Sequence, residues 1–227
     1  LAEGGLPRRA VTPEEMKAIE PTLAGTYFGG FYTESDATGD IHRYTNGLAQ
    51  AAEKRGAKMV CGVEVTKVQS DGEKARVWIA GEDGPRSFDG IVVCAGVASR
   101  DVAAQLGDRV NIYPVKGYSI TVNLLDEASQ QAAPTVSLLD DETKLVTSRL
   151  GDGRFRVAGT AEFNGVNRDI RADRIAPLVR WVNQCFPGVS TRQVVPWAGL
   201  RPMMPDMMPR VGPGRRANVF YNTGHGH

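Results

Sequence analysis

An unbroken apolar run, Ile-Val-Val-Cys-Ala-Gly at residues 91–96, limits the possible folds more than any other segment of the sequence. A strand with one face in water alternates apolar and polar residues, whereas a strand covered on both faces is apolar throughout. The run therefore predicts a central strand of a parallel sheet. The small residues at its end, Ala95 and Gly96, either let a ligand approach the backbone or form a plain strand-to-helix turn.

Three segments have helical signals. Thr12, Pro13 and Glu15 form a capping-box pattern at the start of one helix, and Pro21 ends it. Residues 41–54 repeat apolar side chains at helical spacing before Gly56. The longest helix is expected at residues 170–186, where Pro177 predicts a kink unless it lies in the first turn.

The segments between the helices have the two-residue period of strands. Val63, Val65 and Val68 are the candidates for burial near the first of them, and Ser99 is a candidate helix cap after residue 96. The expected strands cover residues 58–61, 64–69, 75–80, 86–88, 111–123, 137–139, 144–148, 155–158 and 191–197. Polar turns separate them, which indicates antiparallel sheets in an α/β (α+β) protein.

Composition excludes several classes of function. Lys and Arg total 27 and Asp and Glu 26, so the net charge does not favour nucleic acid as a partner. Three widely spaced cysteines predict buried free thiols rather than a metal site or disulfides. No apolar run approaches the ~18 residues of a membrane-spanning helix, and no signal peptide opens the sequence. Because residue 1 is Leu1, we expect the sequence to be part of a longer chain.

The C-terminal stretch carries the candidate chemistry. Gly199 permits close backbone approach, and Pro202 stiffens the backbone that presents Arg201, whose planar guanidinium suits a carboxylate. The apolar residues 219–221 then lead into a turn of glycine and histidine at residues 224–227. Asp206, His225 and His227 could ligate a metal, but no helix or turn fixes their spacing, so we predict no metal site.

Three motifs resemble one family. Residues 197–206 read W-A-G-L-R-P-M-M-P-D, residues 113–118 read Y-P-V-K-G-Y, and residues 222–226 read N-T-G-H-G. Together they resemble the FAD-dependent D-amino acid oxidase and glycine oxidase superfamily, and within it the D-amino acid dehydrogenase small subunits. The resemblance covers the chain from about Glu14 onward. Met207 departs from the pattern, which has glycine after Pro-Asp, and His227 departs from a small or apolar residue.

The resemblance implies FAD as cofactor and oxidative deamination of D-amino acids, with hydride transfer from the substrate Cα. No side chain is assigned as a catalytic acid or base, because the flavin takes the hydride from a neutral amine. The implied substrate-binding residues are Arg201, Tyr118 and His225. The implied cofactor-binding residues are Val65, Ala95, Gly96, Gly199, Gly224, His225 and Gly226.

The implied architecture is a partial FAD-binding domain, residues 40–107 and 197–227, and an antiparallel-sheet substrate domain, residues 108–196 with parts of 20–39. The G-x-G-x-x-G turn that opens the family's FAD domain does not occur in the sequence. We therefore expect this chain by itself to be inactive and to bind FAD weakly or not at all. Apolar surface near Val65 and Val92 should be uncovered.

Two alternatives remain open. One is a glycine- or sarcosine-type amine oxidase, with the same chemistry and oxygen as acceptor. The other is a non-catalytic β-rich binding module that has lost the flavin. The sequence does not separate the respiratory chain from oxygen as electron acceptor. The resemblance implies a cytoplasmic enzyme, or one peripheral on the inner membrane face, with a small amino acid as substrate.

Overall fold

The computed structural model describes residues 5–226 and divides the chain into two compact units. Unit 1 runs to Leu48 and includes Gly117–Ala161 and Asp169–Ala198. Unit 2 comprises Ala49–Lys116, Glu162–Arg168 and the residues from Gly199 onward. Unit 2 thus begins inside a helix rather than at residue 40 and extends beyond residue 107. The assignment of FAD-binding and substrate-binding roles to the units stays a prediction.

The described residues form thirteen strands, five α-helices and a short 3-10 helix, Gly96–Ala98. The helices are α1 Pro13–Ile19, α2 Ile41–Glu53, α3 Ser99–Gln105, α4 Glu127–Ala132 and α5 Ala172–Cys185. The strands are β1 Arg8–Val11, β2 Gly30–Thr33, β3 Val65–Ser70, β4 Ala75–Ile79, β5 Arg86–Phe88, β6 Ile91–Val93, β7 Tyr113–Asn123, β8 Leu139–Asp140, β9 Leu145–Arg149, β10 Arg154–Glu162, β11 Val194–Met203, β12 Arg210–Pro213 and β13 Val219–Thr223.

The predicted capping box of α1 is confirmed. Thr12 Oγ1 accepts a hydrogen bond from Glu15 N at 3.3 Å, and Glu15 Oε2 accepts one from Thr12 N at 2.8 Å. Pro13 occupies the first turn, where its missing N–H leaves no helical bond unmade. The helix ends at Ile19, before Pro21, as the sequence predicts.

Thr12→Ala should destabilise the protein by about 1 kcal/mol, because the amide of Glu15 loses its capping oxygen. Thr12→Ser keeps the oxygen and should leave the free energy of unfolding nearly unchanged. Urea unfolding of the two variants and the wild type checks this. Equal losses in both variants would show that the methyl group of Thr12, rather than the cap, supports the helix.

The core of unit 1 lies between α5 and strands of one five-stranded sheet. Phe155 and Val157 of β10 and Leu178 and Val182 of α5 are buried in one cluster. The ring of Phe186 packs edge-on against Phe155 at 6.1 Å between centroids. These strands belong to a five-stranded sheet of order β11-β7-β10-β9-β8, in which β8-β9-β10 is antiparallel. The antiparallel sheet predicted for this part of the sequence is therefore confirmed for those three strands.

Unit 2 contains two three-stranded sheets. The meander β3-β4-β5 is antiparallel, as the sequence predicts. The second sheet has the order β12-β13-β6, with β13 parallel to β6 and antiparallel to β12. Its core joins the strands to α3 and contains Val68, Val93, Ala103, Leu106, Val110, Ile112, Val219 and Tyr221.

The prediction that residues 91–95 form a central strand with both faces buried is wrong for the described chain. β6 spans only three residues and lies at one end of its sheet. Successive side chains point to opposite faces: Val93 lies in the core, but Val92 is 60% exposed. Val65 is also 49% exposed. The expectation of uncovered apolar surface near Val65 and Val92 is therefore met, whereas the burial predicted for Val65 is not.

Other differences concern short segments. Residues 58–61 form no strand, and Val63 is exposed, whereas Val68 is buried as predicted. Helix α4 and strand β12 lie where the sequence analysis places neither. Cys61 and Cys94 are exposed and Cys185 is partly buried, so the cysteines are free, but the prediction that they are buried is wrong. Pro177 lies inside α5, beyond its first turn.

Candidate functional site

The candidate site lies at the carboxyl ends of two parallel strands in unit 2. β13 and β6 pair in register, with Val219 opposite Ile91 and Tyr221 opposite Val93. The residues that follow them, Ala95–Gly96 and Gly224–Gly226, therefore leave the sheet at the same edge. In open sheets with parallel strands, ligands bind at this edge. The structure thus brings together five of the residues implied as cofactor ligands: Ala95, Gly96, Gly224, His225 and Gly226.

A buried hydroxyl pair joins the two strand ends. Thr223 Oγ1 lies 2.7 Å from Ser99 Oγ, and Ser99 Oγ accepts a hydrogen bond from Ala95 N at 3.0 Å. Thr223 Oγ1 is also 3.4 Å from Gly96 O. Ser99 is the first residue of α3, not its N-cap, and Ala98 precedes it without a side-chain cap. The predicted capping role of Ser99 is therefore replaced by support of the Ala95–Gly96 turn.

Ser99→Ala should lower the free energy of unfolding by about 1–2 kcal/mol, because it leaves the Ala95 amide without its acceptor and removes the partner of Thr223. Ser87→Ala, at an exposed position of β5, is the matched control and should stay within about 0.5 kcal/mol of the wild type. Chemical denaturation of both variants measures the difference. Equal stability of the two variants would mean that the hydroxyl pair does not hold the strand ends together.

The glycines at this edge have different surroundings. Gly96 has a φ of +56°, and a Cβ built on it would meet nothing within 4 Å, so open space lies beside its backbone. Gly224 has a φ of +82°, and its Cβ would lie 2.8 Å from Met204 Cγ. A Cβ on Gly226 would lie 2.8 Å from Met203 Cα. Packing against the end of β11 thus requires glycine at 224 and 226, whereas Gly96 leaves room for a ligand.

Arg201 lies near the end of β11 that packs against the Gly224–Gly226 turn. It precedes Met203, whose backbone contacts the Gly226 position, by two residues. Its side chain is exposed, and it makes no ion pair or hydrogen bond with another side chain among residues 5–226. His225 is exposed in the neighbouring turn. An arginine held by a strand and a following proline, with its guanidinium unpaired, is suited to bind a carboxylate.

Tyr118 is part of unit 1, whereas the residues described above are part of unit 2. It is 1% exposed and lies in the buried cluster of unit 1, and its hydroxyl is 3.5 Å from Asp169 O. Tyr118 therefore has a core position, and its implied contact with the substrate stays a prediction. Tyr118, Ile120 and Val122 of β7 share one buried cluster with side chains of α5, and the motif letters alone do not show which face Tyr118 takes.

Two other predicted cofactor residues lie elsewhere in unit 2. Val65 begins β3, which is tied to α3 because Val68 N donates to Gln105 Oε1 at 2.9 Å. Gly199 is half-buried within β11, two residues before Arg201. Their contacts with a cofactor stay predictions. Met207, which stands where the family pattern has glycine, has a φ of +60°, so it adopts a conformation that glycine favours.

A lysine network near the start of β7 was not found from the sequence. Lys116 is 0% exposed; its Nζ donates to Asn167 Oδ1 at 2.8 Å and lies 3.6 Å from Glu162 Oε2. Beside it the rings of Tyr113 and Phe163 lie 5.7 Å apart. The available signal was a lysine on the even-numbered face of the strand, which is otherwise apolar, and this indicates a buried, paired charge.

Metal sites and membrane-spanning helices are two further features that bear on the class of function. Within residues 5–226, no group of three or more His, Cys, Asp or Glu side chains is arranged to hold a metal ion. His227, named above as a possible ligand, lies outside the described residues. Over the same residues, no helix has both the length and the apolar character needed to cross a membrane.

Comparison with known proteins gives consistent matches. A family model described as FAD dependent oxidoreductase, the DAO family, matches residues 1–227. The chain is 61% identical to D-amino acid dehydrogenase 3 of Mesorhizobium japonicum, over 100% of this chain and 55% of that protein. It is 41% identical to D-amino acid dehydrogenase of Paramagnetospirillum magneticum, over 98% of this chain and 52% of that protein. The chain thus spans about half the length of the curated relatives it matches.

Solved structures share the fold. Glycine oxidase from Geobacillus kaustophilus superposes with a TM-score of 0.87 at 23% identity, over 99% of this chain and 59% of that one. L-alpha-glycerophosphate oxidase from Mycoplasma pneumoniae, solved with FAD bound, superposes with a TM-score of 0.80 at 19% identity, over 96% of this chain and 59% of that one. At these identities the likeness concerns the fold alone.

Proposed function

The chain belongs to the DAO family of FAD-dependent oxidoreductases, and from this premise we propose that the complete protein oxidatively deaminates D-amino acids. Its relatives in Mesorhizobium and Paramagnetospirillum are named D-amino acid dehydrogenases. The single structural observation that carries the proposal is the exposed Arg201 guanidinium. It is unpaired with other side chains among the described residues and stands at the end of β11, two residues before the strand contacts the Gly224–Gly226 turn.

The residues at the strand ends fit a flavin nucleotide. Open space beside Gly96 and the main-chain groups of Ala95 and the Gly224–Gly226 turn suit a flat, hydrogen-bonding ligand. Ala95, Gly96, Gly224, His225 and Gly226 would line FAD at this edge, with Val65 and Gly199 as the further candidates. FAD, when bound, supplies the acceptor for the hydride of the substrate Cα.

The side chains of this chain orient the substrate. Arg201 would hold the α-carboxylate through two parallel hydrogen bonds, which fixes both the position and the plane of that group. When the carboxylate is fixed, the configuration at Cα decides whether its hydrogen or its side chain faces the acceptor. The site would select one enantiomer in this way. His225, which is exposed in the Gly224–Gly226 turn, would contact the substrate or the flavin.

The proposal is tested on the complete flavoprotein under anaerobic conditions. Adding D-alanine should bleach the flavin absorbance near its visible maximum, and L-alanine should leave it unchanged. Bleaching by glycine or sarcosine but not by D-alanine would replace the proposal with the amine oxidase alternative. A protein that carries no flavin and binds a ligand without redox change would support the non-catalytic binding module.

We also propose that electrons leave through the respiratory chain rather than to oxygen, on the basis of the dehydrogenase names of the relatives. Such an acceptor lies in the membrane, so the complete protein would associate peripherally with the inner membrane face. Turnover with D-alanine should then be supported by a quinone analogue and produce little hydrogen peroxide. Stoichiometric peroxide with no response to the quinone would reassign the protein as an oxidase.

A further inference from the structure

The start of β7 and the ends of β10 and β11, three neighbouring strands of the five-stranded sheet, are all part of unit 2. Asn123 N donates to Gln193 O at 3.2 Å and Leu124 N donates to Gly153 O at 2.8 Å, so the last residue of β7 lies beside the starts of β11 and β10. β7 lies between these two strands in the order β11-β7-β10, and its end is beside their starts. It therefore runs antiparallel to both. The start of β7, with Tyr113, therefore lies at the same end as the Arg201 end of β11 and the last residue of β10, Glu162.

The two-residue period assigns a common face to Tyr113 and Arg201. Tyr118 and Ile120 of β7 and Ala198 of β11 face the buried cluster of unit 1. Odd-numbered residues of both strands consequently point to the opposite face of the sheet. Tyr113 and Arg201 are both odd-numbered and exposed. An aromatic ring and a guanidinium therefore occupy one face at one end of the sheet.

The loop after β10 adds a second ring to this face. Phe163 is 73% exposed, and its ring packs against that of Tyr113, which is 43% exposed. Glu162, the last residue of β10, and Asn167, in the middle of the loop, are both within reach of the buried Lys116 Nζ. The lysine thus fixes the loop at two points, so Phe163 is held in place rather than free to collapse onto the surface.

We propose that Tyr113 and Phe163 form the wall that contacts the substrate side chain and give the enzyme a preference for large apolar or aromatic amino acids. This inference rests on the proposed function, because it takes Arg201 as the carboxylate ligand. Two exposed rings on the face that presents Arg201 offer an apolar surface to whatever projects from the Cα of a bound acid. Aromatic side chains would stack on them and small side chains would not.

The test uses the complete holoenzyme and two carboxylates that cannot be oxidised at Cα, 3-phenylpropionate and propionate. Calorimetry should give a dissociation constant for 3-phenylpropionate about tenfold lower than for propionate, the equivalent of about 1.4 kcal/mol. Phe163→Ala and Tyr113→Ala should each remove most of that ratio, and Phe163→Tyr, which keeps a ring, should preserve it. Phe31→Ala, at an exposed phenylalanine of unit 1, is the matched control and should leave it unchanged.

The outcomes separate this inference from the proposed function. Arg201→Ala should weaken both ligands alike, because both carry the carboxylate. If Phe163→Ala leaves the ratio at its wild-type value, the aromatic wall is wrong, whereas the Arg201 effect and D-alanine oxidation can still hold. If wild-type enzyme binds the two acids equally, the wall is likewise overturned. If Arg201→Ala affects neither acid, the proposed function fails, and a ratio that still depends on Phe163 would support an aromatic site that does not use Arg201.

Discussion

Replacing Arg201 with alanine should raise the KM of the complete enzyme for D-alanine by roughly 30-fold to several thousand-fold. Truncating one partner of a desolvated, hydrogen-bonded charge pair costs on the order of 2–5 kcal/mol, and each 1.4 kcal/mol is a factor of ten. The guanidinium makes no ion pair or hydrogen bond with another side chain among the described residues, so little of the fold depends on it. Flavin content and the free energy of unfolding should therefore stay close to those of the wild type.

Steady-state kinetics on D-alanine and on its amide isolate the carboxylate. The wild type should prefer the acid strongly, and Arg201→Ala should abolish that preference. Arg201→Lys should recover only part of it, because an ammonium group cannot form two parallel hydrogen bonds to a carboxylate. Arg216→Ala, at another exposed arginine of unit 2, is the matched control. An unchanged preference for the acid in Arg201→Ala would remove the basis of the substrate assignment.

Replacing Glu20 with alanine should give the largest loss of stability among the variants considered, about 3–4 kcal/mol. Glu20 is buried, and its Oε1 accepts from Thr22 Oγ1 at 2.6 Å. Its Oε2 accepts from Thr135 N at 2.6 Å, Thr135 Oγ1 at 3.0 Å and Val136 N at 3.1 Å. The change leaves three backbone amides, those of Thr22, Thr135 and Val136, without an acceptor inside unit 1. Glu34→Ala, at an exposed position, is the control for denaturant unfolding at neutral pH.

The same carboxylate should make stability depend on pH. Burial opposes ionisation of Glu20, but the hydrogen bonds from Thr22, Thr135 and Val136 outweigh it and lower its pKa below the ordinary value of 4.5. A lowered pKa means that the stabilisation is fully present above 4.5 and is lost as the pH falls through the folded-state pKa. The difference between wild type and Glu20→Ala should be constant near neutrality and shrink at acid pH. A difference that grows on acidification would contradict the ionised state of Glu20.

Features that depend on local geometry can be predicted from the amino-acid sequence. The capping box at Thr12 and Glu15 needs only residues three positions apart, and the structure confirms it. Helix α2 and the meander β3-β4-β5 follow from periodicity and turn residues, and they occur within a few residues of the predicted bounds. The FAD-dependent family also follows from three short motifs, and the family match over the whole chain confirms it.

The burial of each strand face and the contacts between motif residues depend on how the elements pack together. The apolar run at residues 91–96 predicts burial on both faces, but burial depends on neighbours that a local pattern does not contain, and Val92 is exposed. Tyr118 and Arg201 both lie in family motifs. Because side chains alternate between the two faces of a strand, Tyr118 points into the core of unit 1, whereas Arg201 is exposed to solvent. The contact of Tyr113 with Phe163 and the reach of Lys116 to Asn167 join residues about fifty positions apart. Such pairs form only when antiparallel strands bring their ends together, because the two-residue period fixes a face but not the partner strand.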